Sequence, residues 1–385
     1  MSEAQKAPTL AKFASPVDRF HLEMEPLKDA GTKVAGIYCV FAPLELVRAA
    51  GAVPVGLCGK KQGPIPDAER VLPANLCPLI KASYGYALTN SCPYWAASDF
   101  ILGETTCDGK KKMFEIMARL KPLHMMRLPT DTSAEARALW LAEMHRLADY
   151  LTAQTGIAVT DEALRREISI QNRIRTALLD LAACAAEPQP PISSLDLMGV
   201  FESRTFVLNQ EGYLADLLAL RAELRELSAK GVSPYKKGAP RILLTGSPIG
   251  RGSEKVVRLL EDAGAVVVAL ENCTGIKSVV GLVEEGGDPM AALAARYLAT
   301  PCSCMSPNTG RFALIDDLAR QFKPTGVIDL VWQACHTYNV ESFDLGRHVT
   351  EKLELPYLKV ETDYTESDME QLRTRIEAFL ELQAK

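Results

Sequence analysis

The chain has 385 residues, of which 48% are apolar and 24% charged, with a formal net charge of −5. That size and balance fit a globular protein of two or three domains with a large core. No lysine–arginine stripe marks a nucleic-acid binder, no apolar run reaches the ~18 residues of a membrane span, and the opening "MSEAQKAPTLAKFASPVDRF" has no signal-peptide core; a cytoplasmic location without nucleic-acid or membrane partners is expected, with reduced cysteines.

After this polar leader the first third alternates strand and helix signals. "VAGIYCVFAP" reads as a strand running into a loop at Cys39, "LELVRAAGA" as a helix stopped by Gly51, and "AVPVGLCG" as a strand ending at Cys58. "CPLIKASYGYALT" is helical from Cys77 onward, with proline tolerated in its first turn. "DFILGETTC" is a third strand, "KKKMFEIMARL" the helix after it and "PLHMMRLP" a fourth strand. Strands separated by helices predict a parallel sheet covered on both faces.

From residue 132 the pattern changes to long amphipathic helices, "SAEARALWLAEMHRLADYLTAQTG" and "TDEALRREISIQNRIRTALLDLAACAAE", broken by Pro188, Pro190 and Pro191. The α/β pattern resumes at "PRILLTGSPIG" and continues through "AVVVALENCTG", "GVIDLVWQACHTYNVES" and "LPYLKVETDY". The expected fold is α/β, with two similar Rossmann-like parallel-sheet domains, 1–131 and 239–385, joined by a mainly helical segment, 132–238.

Ten cysteines in a reduced chain point to metal binding or redox chemistry, yet no CxxC pair occurs and the one close pair is Cys302 and Cys304 in "PCSCM". Any metal site must therefore be assembled from distant positions. In open parallel sheets, ligands bind beyond the carboxyl ends of the strands. Cys39, Cys58 and Cys107 end strands of the first half, Cys77 opens a helix on the same edge, Cys273 and Cys335 end strands of the last half, and Cys302 and Cys304 precede the helix "TGRFALIDDLARQF". Helix N-termini favour thiolates, and several thiolates facing one cleft suit iron–sulfur ligation. A single cysteine taken alone is a small packing hydrophobe, the reading given to Cys184 among its alanines. Cys92, in "TNSCPYW", falls at a turn away from the cleft.

The segments "YCVFAPLELVRAAGAVPV", "LCPLIKASYGYA", "TTCDGKKKMFE", "PCSCMSPNTGR", "ACHTYNVESFDLGR" and "ETDYTESDMEQLRTRIEAFLE" together resemble the 2-hydroxyacyl-CoA dehydratase / benzoyl-CoA reductase superfamily, in particular its double-cubane cluster protein branch. The resemblance runs over nearly the whole chain. It implies a four-iron cluster on Cys77, Cys107 and Cys335. In the double-cubane branch it implies six cysteine ligands for two four-iron units bridged by sulfide. Cys39, Cys273 and Cys302 complete the six as three from each sheet domain, with Cys58, Cys92 and Cys304 as substitutes. It further implies a homodimer served by a dimeric iron–sulfur ATPase that delivers low-potential electrons for reduction of a small substrate. No Gly-rich phosphate loop and no Ser-His-Asp set is present, which places the ATP site on the partner.

His336 and Tyr338, beside Cys335, are candidate proton or hydrogen-bond donors, against a surface histidine and a packing tyrosine. Glu45, one turn into its helix, is a further candidate, with a solvated helix carboxylate as the plainer reading. Lys110, Lys111 and Lys112 could balance cluster charge or meet an acidic partner, or form a solvated face. Two other functions remain open: a dehydratase (lyase) subunit with one four-iron cluster, and a non-enzymatic electron carrier or cluster store.

Overall fold

The computed structural model describes residues 6–14, 16–57 and 59–383. The first sheet holds β1 (Val34–Ile37), β2 (Val53–Gly56), β3 (Phe100–Glu104) and β4 (Leu123–Met126) in the order β2-β1-β3-β4. The second holds β5 (Arg241–Gly246), β6 (Val266–Glu271), β7 (Gly326–Trp332) and β8 (Tyr357–Thr362) in the matching order β6-β5-β7-β8. Every pairing is parallel. β1, β3 and β7 are buried at every position, as expected of parallel strands covered on both faces.

Between the sheets run the helices Ala134–Thr155, Asp161–Ala183, Ser194–Ser203 and Gln210–Ala229. Each starts at a side-chain N-cap that accepts a backbone N–H: Ser133, Thr160, Ser193 and Asn209. The first ends on Gly156 in the left-handed conformation. Two α/β halves separated by helices are thus the observed architecture.

The halves share their interior. One apolar cluster joins Val55 and Ile101 of the first sheet with Leu244, Ile328 and Leu330 of the second. Another sets Leu293 and Tyr297, from the helix Pro289–Leu298, against Ile37, Leu102 and Trp140. The Tyr364 hydroxyl also donates to the Gly59 carbonyl at 3.0 Å. Packing of this kind fixes the carboxyl edges of the two sheets against each other. In each sheet the strand order reverses around its first strand, which makes β1/β3 and β5/β7 the switch points where ligands are met. No helix among the described residues is long and apolar enough to cross a membrane.

Candidate metal centre

A cavity of about 190 Å³ lies at these facing edges. Among the described residues seven cysteines line it: Cys39 after β1, Cys107 after β3, Cys77, Cys273 after β6, Cys302 and Cys304 from the loop before the helix Thr309–Phe322, and Cys335 after β7. All six cysteines expected as ligands, with Cys304 beside them, are on this wall. Cys92 and Cys184 are not: Cys92 precedes the short helix Pro93–Ala97, and Cys184 is buried at a helix end with its thiol toward the Asp180 carbonyl. Cys58 lies outside the described residues.

The thiols fall into two sets. By electrostatic neighbourhood, Cys335 and Cys107 act on Cys77, and Cys107 on Cys335, whereas Cys273 and Cys302 act on Cys39, and all three act on Cys304. Each member of the first set is the N-cap of a helix: Cys77 of Pro78–Thr89, Cys107 of Asp108–Met117, Cys335 of His336–Arg347. The Cys107 sulfur accepts the Lys110 backbone N–H at 3.5 Å, so the partial positive end of that helix points at the sulfur. Chain geometry enforces the last position. Ala334, just before Cys335, sits at φ +60°, a left-handed conformation costing ~1 kcal/mol in a non-glycine residue, and it turns the chain sharply from β7 into the helix.

The second set is neutralised by side chains. A hydrogen bond from Cys304 holds the Cys302 thiol down at about 6 against the opposing effect of burial, with the Lys277 and Lys110 ammoniums acting in the same direction. Cys304 is correspondingly held protonated. Burial pushes Cys39 and Cys335 up, and Cys77 up to about 12. Buried thiols whose anions are so disfavoured require added positive charge to ionise together. Among the described residues no three Cys, His, Asp or Glu side chains close on a single ion. The sulfurs ring a volume instead of a point, a donor set suited to a polynuclear iron–sulfur group and not to a lone tetrahedral metal.

Behind the second set lies a buried charge network that the sequence does not reveal. Lys277 and Arg311 are each 1% exposed. Lys277 pairs with Glu271 at 2.9 Å and donates to the Tyr338 hydroxyl at 3.0 Å. Arg311 reaches Glu271 at 3.3 Å, Asp329 at 3.5 Å and Glu341, and covers the Tyr338 ring at 4.9 Å. An ammonium donating to a phenol oxygen leaves the phenolic proton free for another acceptor, and Tyr338 lines the cavity close to Cys273 and Cys302. Lys110 lies 3.8 Å from Glu104, whose carboxyl burial raises to about 7. Lys111 and Lys112 are exposed and paired with Asp108 and Glu115.

Two candidates move off the site. His336 is exposed on the first turn of its helix and does not reach the cavity wall. Glu45 is neither solvated nor on the wall. It is fully buried, 2.5 Å from Arg175, and accepts the Tyr297 hydroxyl proton at 2.6 Å. Its helix, Leu44–Ala49, is short and buried at five of its six positions, so the carboxylate has no route to solvent. Tyr297, not Glu45, faces the cavity.

Comparison with known proteins gives the family. The family model described as 2-hydroxyglutaryl-CoA dehydratase, D-component, matches residues 39–382. A protein of Escherichia coli named "Putative dehydratase subunit YjiM" is 45% identical over 362 residues, 94% of each chain. The (R)-phenyllactyl-CoA dehydratase beta subunit of Clostridium sporogenes is 25% identical, over 93% of this chain and 94% of that one. A benzoyl-CoA reductase subunit of Thauera aromatica is 21% identical over 70% of this chain and 69% of its own. The chain belongs to the 2-hydroxyglutaryl-CoA dehydratase D-component family.

Proposed function

We propose that the protein is an iron–sulfur reductase subunit that accepts low-potential electrons from an ATP-hydrolysing iron–sulfur partner and passes them to a small substrate at a double-cubane cluster. One observation carries this reading: among the described residues seven thiols in two sets line one cavity between the sheets, where the resemblance implies three for a single four-iron unit. Cys77, Cys107 and Cys335 would hold one unit, and Cys39, Cys273 and Cys302 the other, with Cys304 as hydrogen-bond donor to Cys302. The bound cluster would supply one-electron reducing power at very negative potential. The chain's own residues do the rest. Helix N-termini and the buried Lys110 and Lys277 offset the sulfur charge, and Tyr338 offers a proton at its hydroxyl. A homodimer in contact with a dimeric ATPase is the proposed assembly, in the cytoplasm.

The second reading, a subunit of a 2-hydroxyacyl-CoA dehydratase with one four-iron cluster on Cys77, Cys107 and Cys335, is favoured by the names of the dehydratase relatives. The test is anaerobic turnover with a reduced family ATPase and MgATP. Steady reduction of a small substrate by this chain as a homodimer supports the reductase. Elimination of water from a 2-hydroxyacyl-CoA, dependent on a second dehydratase subunit, supports the lyase.

A further inference from the structure

The cavity has a third wall, contributed by the helical segment between the sheets: Phe201, Glu202, Arg204, Thr205 and Phe206. Lys60 and Lys110, also on the wall, each have a carboxylate, Glu202 at 2.8 Å and Glu104 at 3.8 Å. Arg204 has none. Among the described residues its guanidinium makes no hydrogen bond and no ion pair, and its Nε is sealed from solvent without a partner. The side chain as a whole is only partly covered, and it lines the cavity.

Its surroundings sharpen the point. Four guanidiniums gather here, those of Arg48, Arg175, Arg204 and Arg296, around the fully buried carboxylate of Glu45, with Glu167 beside Arg48. Arg175 takes Glu45. Arg48 donates to the Val207 carbonyl, and Arg296 to the carbonyls of Ser278, Val280 and Gly281. Among the described residues, these four cations against two carboxylates leave a positive excess, and the one of the four without any acceptor is the one at the cavity. A guanidinium whose Nε is cut off from water without an acceptor is costly unless an anion meets the group. Burial and the neighbouring Arg175 also push its pKa down, the direction expected of a cation lacking its counter-ion. The thiols are not its strongest partners: the cations that act most on Cys39 and Cys302 are Lys110 and Lys277, whereas the groups that act most on Arg204 are Tyr297, Arg175, Tyr213 and Glu45.

We propose that Arg204 is an anion-binding residue that anchors the carboxylate or phosphoryl group of the substrate, holding the rest of the molecule toward the thiol-lined end of the cavity. The proposal rests on the reading of this cavity as the reducing site and narrows its substrates to small anions. A planar guanidinium can grip a carboxylate with two parallel hydrogen bonds, which fixes orientation as well as charge.

The test titrates propionate, its neutral isostere propionamide, and methylphosphonate into the anaerobically purified protein by calorimetry, with wild type, Arg204→Gln and Arg204→Lys. Iron content and the EPR spectrum are recorded for each. The expected result is that an anion binds at least tenfold more tightly than propionamide, that Arg204→Gln loses about tenfold or more of that affinity, and that Arg204→Lys retains part of it, with iron content unchanged. Preference for propionate assigns a carboxylate, preference for methylphosphonate a phosphoryl group. Equal binding of propionate and propionamide by the wild type, no binding of either anion at millimolar concentration, or undiminished anion binding by Arg204→Gln overturns the proposal. The first two outcomes need no variant to fold. Iron content reports separately on the cluster reading, so the two can fail independently.

Discussion

Lys277 donates a 3.0 Å hydrogen bond to the hydroxyl oxygen of Tyr338, and both side chains are buried. The ammonium fixes the phenol and stabilises any charge it develops, while the phenolic proton stays available to the cavity. Tyr338→Phe keeps the ring beneath Arg311 but removes that proton. Turnover of a substrate that must be protonated should fall by about a hundredfold or more, with iron content and visible spectrum preserved. Unchanged turnover in Tyr338→Phe would assign the residue to packing.

The division of thiols makes a second prediction. Alanine at Cys77, Cys107 or Cys335 should remove one unit, and alanine at Cys39, Cys273 or Cys302 the other, each leaving about four irons per chain of an original eight or so. Cys304→Ser keeps a hydrogen-bond donor beside Cys302 and should retain most of the iron. Elemental analysis of the anaerobically purified variants checks this. Full iron in Cys302→Ala with loss in Cys304→Ala would exchange the roles of the two.

Glu45 is assigned to stability, not to catalysis. Glu45→Gln leaves Arg175 buried without its counter-charge, and urea unfolding should show a loss of about 3–5 kcal/mol at pH 7. Arg175 and the Tyr297 hydroxyl hold the Glu45 carboxyl below its ordinary value against the effect of burial. The contribution is therefore present above the unfolded value of ~4.3 and is lost as pH falls through the lower folded value, so wild type and variant should converge toward acid. A constant gap between pH 7 and pH 3 would contradict the assignment.

Gly246 closes β5 at φ +108°, and a Cβ there would lie 2.1 Å from the Leu330 carbonyl oxygen of β7. Gly246→Ala combines strain with a backbone clash and should cost about 1–3 kcal/mol. Ser247 and Pro248 follow directly in the cavity wall, so reduced iron retention is expected as well. Wild-type stability in this variant would show that β5 and β7 can separate there freely.

Strand ends are legible in the sequence because an apolar run stopping at a cysteine, then a turn and a helix, is a local pattern; it locates Cys39, Cys107, Cys273 and Cys335. Cys77, as the residue before a helix-opening proline, is located by the same means. Lys277, Arg311, Tyr297 and Arg204 are not, because their roles depend on burial created by distant segments. A lysine in "TGIKS" looks like any surface lysine until Glu271 and Tyr338 fold around it. Glu45 misleads for the same reason: its position one turn into a helix suggests solvent, and only the packing of Arg175 and Tyr297 across it shows otherwise. His336 shares the local context of Cys335, yet helix geometry turns it outward while Tyr338, two residues on, faces in.

The two-set arrangement of sulfur is best tested by counting iron and acid-labile sulfide in protein purified without oxygen, alongside EPR of the reduced form. About eight irons per chain, with signals of interacting four-iron units, is the expected result. About four irons, all lost on removal of Cys107 and unaffected by removal of Cys273, would contradict it.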